Sequence, residues 1–356
     1  MILKSFSYKG QGWDLSDLAP LGMVNLLVGQ NATGKTRTIK AIQNVTAFMQ
    51  MKKVYVFMET NSFSTEMVFV DPEKEDWNMT YVFQVNDGVV EKEILKVKGE
   101  ELIKRTKYMS RYQQTQINPP SDKLIVQVRR DKDLYPEIEQ LMSWAEGVVC
   151  VSCSNINAFT IMSGPDRYVN PIPFSMMVDA LTSDEKKIVI SNAKTLGYDL
   201  TNMSTVEVNG AKFVLIKEKS IKVLYGDFQL SSGMLRVLYL LTFMQYIKKG
   251  NQLSLLLLDD VGEGLDYSRS IHFGKMIFDT CDASKLQLIA SSNDAFLMDV
   301  VDISHWQVLR RKASKVSVIN QSNNTKLFNE FRLTGLSNFD LFSSDFIDVF
   351  LKQQVE

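Results

Sequence analysis

The sequence is short of the residues from which most metal and nucleophile chemistry is built. It has two histidines, His272 and His305, and three cysteines, Cys150, Cys153 and Cys281. A zinc site needs four ligands at motif spacing, and the lone pair Cys150-x-x-Cys153 has no third or fourth partner near it. Within the apolar run from Gly147 to Cys153 these thiols read as buried strand residues. No apolar run approaches the ~20 residues that a membrane-spanning helix needs. The start, MILKSFSYKGQGWD, lacks the basic opening and long apolar centre of a signal peptide. A cytoplasmic location and no membrane partner are therefore expected. There is no internal repeat, heptad run or low-complexity segment. Charge bias is missing too: 40 Lys and Arg face 41 Asp and Glu. Global charge therefore gives no footprint for nucleic acid.

What is present is core material and one loop. With 356 residues, 45% of them hydrophobic, the chain can build one large or two ordinary domains. The apolar run Met23 to Val28 leads into Gly29-Gln30-Asn31-Ala32-Thr33-Gly34-Lys35-Thr36, and a helix-compatible run from Arg37 to Met51 follows. Every fixed position of the phosphate-loop pattern GxxxxGK[ST] is filled. In such a loop successive backbone N–H groups turn inward and the next helix adds the positive end of its dipole. A triphosphate is the natural ligand, with Lys35 reaching its phosphates and the Thr36 hydroxyl giving an oxygen to Mg2+.

Along the rest of the chain, strands are expected at Ile2 to Tyr8, after a turn around Gly10-Gln11-Gly12 at Met23 to Val28, and at Val54 to Met58, Glu66 to Asp71, Met79 to Val85 and Val89 to Val97. Asn86-Asp87-Gly88 signals a hairpin. A basic helix is expected over Gly99 to Tyr112, then a strand at Leu124 to Val128, a helix at Tyr135 to Glu146 and a strand through Cys150. Residues 154–175 look irregular, and helices over Met176 to Leu181 and Asp184 to Leu196 precede short strands at Lys212 to Ile216 and Ile221 to Tyr225. An apolar helix opens at Leu230-Ser231-Ser232-Gly233 and ends near Gly250. Leu253 to Leu258 reads as a buried strand, Ser268 to Cys281 as a helix and Leu286 to Ala290 as another strand. Trp306 to Arg310 and Lys315 to Ile319 form a last hairpin before a phenylalanine-rich tail.

A phosphate loop needs a second acid at the end of a neighbouring buried strand, facing the metal shell. Asp259, at the end of Leu253 to Leu258, meets that requirement, although Asp259 and Asp260 could also simply cap a helix. Read together, the phosphate loop, Leu230-Ser231-Ser232-Gly233-Met234, Asp259-Asp260-Val261-Gly262-Glu263-Gly264-Leu265-Asp266 and Ser291-Ser292-Asn293-Asp294 resemble, in order and spacing, the ABC-type ATPase heads. Within that family the chain is similar to the soluble RecF, SMC and overcoming-lysogenization-defect group. The match covers the first 50 residues and 224–312, and only in broad architecture 99–220.

The resemblance implies an α/β fold, an ABC-type P-loop NTPase head with a mixed central sheet, an antiparallel β-subdomain and an inserted helical lid. Its expected parts are residues 1–98, the inserted region 99–222, the returning head 223–320 and a tail 321–356 that packs on the head or on a partner. It implies ATP and Mg2+ as cofactors. Gly29 to Thr36, Arg37, Ser231 and Gly233 would bind nucleotide, Thr36 and Asp259 the metal, and Lys35, Asp260 and Asn293 would act in hydrolysis, with Asp266 as the aspartate of the D-loop. Two copies would meet head to tail as an ATP-dependent homodimer, the signature of one completing the site of the other. Asp260 stands where many relatives have glutamate and Asn293 where they have histidine, so slow hydrolysis is expected. Coupling to DNA repair or antiphage defence, with DNA as a partner, follows by analogy alone. A nucleotide-gated scaffold that holds an effector nuclease or toxin is an alternative, and a transporter ATPase subunit a weaker one. Phe6, Tyr8 and Trp13 are candidates to stack on adenine, and Gln84, Gln113, Gln114, Gln116 and Gln127 to bridge the metal; core packing is the competing fate of the aromatics. Lys104-Arg105, Arg129-Arg130 and Arg310-Arg311-Lys312 are candidate phosphate contacts against a reading as solvated surface.

Overall fold

The computed structural model describes residues 1–10, 12–52, 62–157, 172–249 and 253–353. The chain begins with β1 (Ile2–Gly10), β2 (Trp13–Leu18) and β3 (Val24–Val28), followed by α1 (Lys35–Met49). An antiparallel run follows: β4 (Phe63–Asp71), β5 (Lys74–Asn86), β6 (Val89–Val97), β7 (Glu100–Arg105), β8 (Ser110–Tyr112) and β9 (Thr115–Gln116). Then come α2 (Ile125–Val128), α3 (Pro136–Glu146), β10 (Val148–Ser152), α4 (Phe174–Ala180), α5 (Ser183–Thr195), β11 (Leu200–Val208), β12 (Ala211–Glu218) and β13 (Tyr225–Gly226). The returning half holds α6 (Ser232–Ile247), β14 (Leu255–Asp259), α7 (Tyr267–Ala283), β15 (Gln287–Ser291), α8 (Ala295–Val300), β16 (Trp306–Lys312) and β17 (Lys315–Ile319). The tail forms α9 (Thr325–Thr334), α10 (Asn338–Ser343) and α11 (Phe346–Gln353).

Among the described residues one large sheet runs in the order β10-β14-β15-β3-β16-β17-β2-β1-β4-β5-β6-β7-β8-β9, and β11-β12-β13 form a second. The members from β10 to β16 are parallel, and β1, β2 and β4 to β9 pair antiparallel. Parallel strands are covered on both faces, which explains why Leu255 to Leu258 are apolar without alternation. Leu256 and Leu258 join the core that contains α6 and α7, while Leu255 and Leu257 join the core that contains α1 and α3. By the same alternation Asp259, next after Leu257 on that face, is delivered to the side of α1. The sequence order alone thus aims this acid at the phosphate loop.

The expected hairpins are found, and each has a visible cause. Asp87 and Gly88 have φ of 46° and 77°, the double left-handed turn that matches strand twist. The helix expected over Gly99 to Tyr112 is instead β7 and β8. Lys98 and Gly99, with φ of 50° and 80°, make another such turn and fold β7 back onto β6. The antiparallel layer therefore runs on to Gln116. Leu124 to Val128 is a single helical turn rather than a strand, because the Glu93 carboxylate accepts the N–H groups of Ile125 at 2.6 Å and Val126 at 3.2 Å. Of the strand expected at Ile221 to Tyr225 only Tyr225–Gly226 pairs; Val223 and Leu224 are exposed. β11 was not anticipated. The strand expected at Val54 to Met58, Gln11 of the first turn, most of the irregular stretch and Gly250 lie outside the described residues. The tail phenylalanines pack on the head: Phe328, Phe331 and Phe350 are buried, and Phe339, Phe342 and Phe346 lie against the same core.

Candidate functional site

β3 delivers the loop and α1 leaves it. Ala32 and Gly34 have φ of 66° and 109°, so the loop curls on itself, and the Thr33 N–H donates to the Gln30 carbonyl at 3.2 Å. A side chain at Gly34 would be strained by that φ and would meet the Trp13 indole nitrogen at 3.2 Å. The first intrahelical bond runs from Thr38 N–H to the Gly34 carbonyl at 2.7 Å, so the amides of Lys35 and Thr36 precede the helical ladder. Arg311 donates to the Ala32 carbonyl at 3.2 Å and ties the loop to β16. Lys35 is 6% exposed and folds back on the loop, donating to the Gly29 carbonyl and, at 3.2 Å, to that of Gln30. Burial lowers its pKa, and Asp260 and Asp259 oppose that shift. The buried ammonium is thus held by backbone carbonyls, with the two acids as its nearest opposite charges.

Asp259 closes the site from the neighbouring strand. The Thr36 hydroxyl donates to Asp259 Oδ1 at 3.0 Å, and the Ser291 hydroxyl donates to the same oxygen at 2.6 Å. Asp259 is 2% exposed. Asp260 follows with φ of 58°; burial raises its pKa first, then the charges of Asp259 and Glu263, against Lys35 and Lys40. Neither acid caps a helix. That task falls to Asp266, whose carboxylate accepts the Arg269 N–H at 3.1 Å at the start of α7.

Ser231 caps α6, its hydroxyl accepting the Met234 N–H at 3.3 Å. Gly233 lies against the loop after Asp260, where a Cβ would come within 2.8 Å of the Gly264 carbonyl oxygen. Arg236, one turn on, donates to the Glu263 carbonyl at 2.7 Å and to that of Ser154 at 3.3 Å. The start of α6, the loop after Asp260 and the turn that follows β10 are thus pinned together. No hydrogen bond among the described residues joins 231–236 to 29–36. Asn293 is exposed between two anchored neighbours: Ser292 donates to the Val261 carbonyl at 2.6 Å and Asp294 caps α8.

The structure therefore brings together Lys35, Thr36, Asp259 and Asp260, and places Gly233 beside the loop 260–266 with Ser231 capping the helix that carries it. Sequence reading assigned no role to Ser291, Arg236 or Lys40, whose contacts are made across the fold. Phe6, Tyr8 and Trp13 are all buried, so core packing is their fate, with Arg37 over the Trp13 ring at 5.4 Å. Gln127 is also committed elsewhere, donating to the Phe48 carbonyl at 2.7 Å at the far end of α1. Among the basic pairs, Arg105 is 6% exposed and donates to three backbone carbonyls, and Arg130 pairs with Glu139 at 2.6 Å and Glu146 at 3.2 Å. Burial pushes the thiol of Cys150, in β10, up to about 12 and raises that of Cys153, which lies in the turn after β10 rather than in a strand, in keeping with inert thiols. Among the described residues no cluster of His, Cys, Asp or Glu could hold a metal by itself, and no helix is long and apolar enough to cross a membrane.

Solved structures similar to this chain include SMC heads. The chain superposes on an SMC head bound to the C-winged helix domain of ScpA with a TM-score of 0.56 at 12% identity, over 90% of this chain and 98% of that one. It also matches the SMC head domain from Thermotoga maritima with a TM-score of 0.51 at 14% identity, over 90% and 99%. A Smc head with an extended coiled coil, bound to the C-terminal domain of ScpA derived from Pyrococcus furiosus, gives 0.55 at 12% identity over 93% and 99%. The chain has the fold of an ABC-type ATPase head. No family model matches the sequence, and no curated protein does. The longest helix among the described residues, α7, has 17 residues, so no comparable coiled coil is described here.

Proposed function

We propose that the chain is an ATPase whose nucleotide site is completed by a second copy of itself. The observation that carries this reading is the meeting of Thr36 and Asp259 beside Lys35, at the C-terminal ends of β3 and β14. Two hard oxygen donors side by side, with a carboxylate already held in place, suit a cation that takes its remaining ligands from phosphates and water. Thr36 and Asp259 would hold Mg2+ there, and the bound ion would offset phosphate charge. Lys35 would exchange its two loop carbonyls for phosphate oxygens. The amides of Gly29 to Thr36 would bind the remaining phosphate oxygens, and Arg37 would lie toward the nucleoside end.

Asp260 would orient the attacking water or accept its proton, and Asn293 would donate to the terminal phosphate. The side chain of Asp260 is one methylene shorter than a glutamate and reaches less far toward the water, which favours slow turnover. Ser231 caps its own helix and Gly233 lies against the loop 260–266 of its own chain, neither bonding to its phosphate loop. A signature loop so placed is free to serve a second copy, with the N-terminus of α6 directed at its nucleotide. ATP would then close a head-to-tail dimer and hydrolysis would open it. Coupling to DNA transactions or to an effector protein is a further proposal, by analogy with this fold. Isothermal titration of ATP with and without Mg2+ tests the nucleotide site: micromolar, Mg2+-dependent binding that Lys35→Ala abolishes is expected, and unchanged binding in Lys35→Ala contradicts it.

A further inference from the structure

Ser291, the last residue of β15, is wholly buried and holds both acids that follow β14. Its hydroxyl donates to Asp259 Oδ1 at 2.6 Å and accepts the backbone N–H of Asp260 at 3.0 Å. Its carbonyl accepts the N–H of Val261 at 2.9 Å. Between these grips Asp260 adopts φ of 58°, a left-handed conformation that an aspartate tolerates but does not prefer. Such strain persists only where surrounding contacts over-determine it. One hydroxyl thus uses its proton on the first acid and a lone pair on the backbone of the second, and each bond polarises the other.

We propose that Ser291 is a positioning residue that orients Asp259 for the cation and fixes the left-handed backbone from which the short side chain of Asp260 is presented. The inference rests on the Mg2+ and ATP reading above. Thr36 donates to the same carboxylate oxygen from the phosphate-loop side, where the cation would compete for both groups. Ser291 donates from the strand behind and keeps its bond whatever Thr36 does. Hydrogen-bond partners of metal-binding carboxylates typically tune metal affinity or activity by about 10–100-fold. The backbone grip has its own consequence, since a glycine at 260 would adopt this φ without strain.

The test measures binding of a fluorescent ATP analogue against Mg2+ concentration for wild type, Ser291→Ala and Ser291→Cys, the last slightly larger than serine and only a weak donor. Both variants are expected to need about tenfold more Mg2+ for half of the tightening, with metal-free affinity within about twofold of wild type. Mg2+ curves that coincide with wild type overturn the proposal. A wild type with Mg2+-independent binding overturns the metal reading and this proposal with it, whereas a normal wild type beside unshifted variants overturns this proposal alone. Thermal midpoints give a second readout without nucleotide. Asp260→Gly should stabilise wild type, where Ser291 enforces the left-handed backbone, more than it stabilises the Ser291→Ala background, and equal effects in the two backgrounds contradict the backbone role.

Discussion

Thr36 and Asp259 stand 223 residues apart in the chain and share a hydrogen bond of 3.0 Å. Their meeting is the product of strand alternation, which turns Asp259 to the face of α1, and of the phosphate loop, which starts α1 one residue before Thr36. Thr36→Val, close in shape but without the oxygen, should leave metal-free ATP binding in place and weaken Mg2+-dependent binding by roughly 10–100-fold, the cost of one charge-assisted contact. Thr36→Ser should behave as wild type in the same titration.

Gly233 has no room for a side chain. Because a Cβ there would lie 2.8 Å from the Gly264 carbonyl oxygen, Gly233→Val must push the start of α6 off the loop 260–266. An overpacking cost of about 1–3 kcal/mol is expected in urea denaturation. A single copy should still bind ATP with near-native affinity, and association in ATP should be lost.

Arg236 fastens three elements through the Glu263 and Ser154 carbonyls. Arg236→Met keeps much of the stem and removes the donors. A loss of about 1–3 kcal/mol is expected, with hydrogen exchange rising first over residues 260–266.

Glu93 offers a pH test away from the nucleotide. It is wholly buried, accepts from Tyr81 at 2.9 Å and from the amides that open α2, and burial pushes its pKa up to about 7. The folded state therefore holds this proton more tightly than the unfolded chain. Its contribution to stability is greatest below the ordinary carboxylate range and declines as pH rises through 7. The wild-type thermal midpoint, taken relative to that of Glu93→Gln, should fall between pH 5 and 8; a flat difference curve contradicts the buried, protonated carboxyl.

Much of the site was legible because its parts obey local rules. The phosphate loop needs small residues and Lys-Thr at fixed spacing, and an unbroken Leu255 to Leu258 can only be a strand covered on both faces, with the acid at its end. What was misread depended on tertiary pairing. The basic run Gly99 to Tyr112 carries charges at helical spacing, and only the Lys98-Gly99 turn and the edge of β6 make it strand. Leu124 to Val128 is β-prone in composition, but a carboxylate from β6 at its first amides winds it into a turn. β11 was announced by Asn209-Gly210, whose φ of 52° and 79° form a hairpin turn of the same kind as Asp87-Gly88. Ser291 could not be singled out, because its importance lies in touching Asp259 and Asp260 across the sheet, and no spacing along the chain encodes that contact.

The central claim is that ATP makes two copies of this chain into one site. Light scattering of Asp260→Ala, which should bind ATP and Mg2+ but not complete hydrolysis, tests it most directly. The account predicts a mass near the 40.5 kDa of one chain without nucleotide and twice that mass in saturating ATP and Mg2+, with the doubling abolished by Lys35→Ala and by Gly233→Val. A mass that stays at one chain in saturating ATP, or a dimer indifferent to nucleotide, would contradict it.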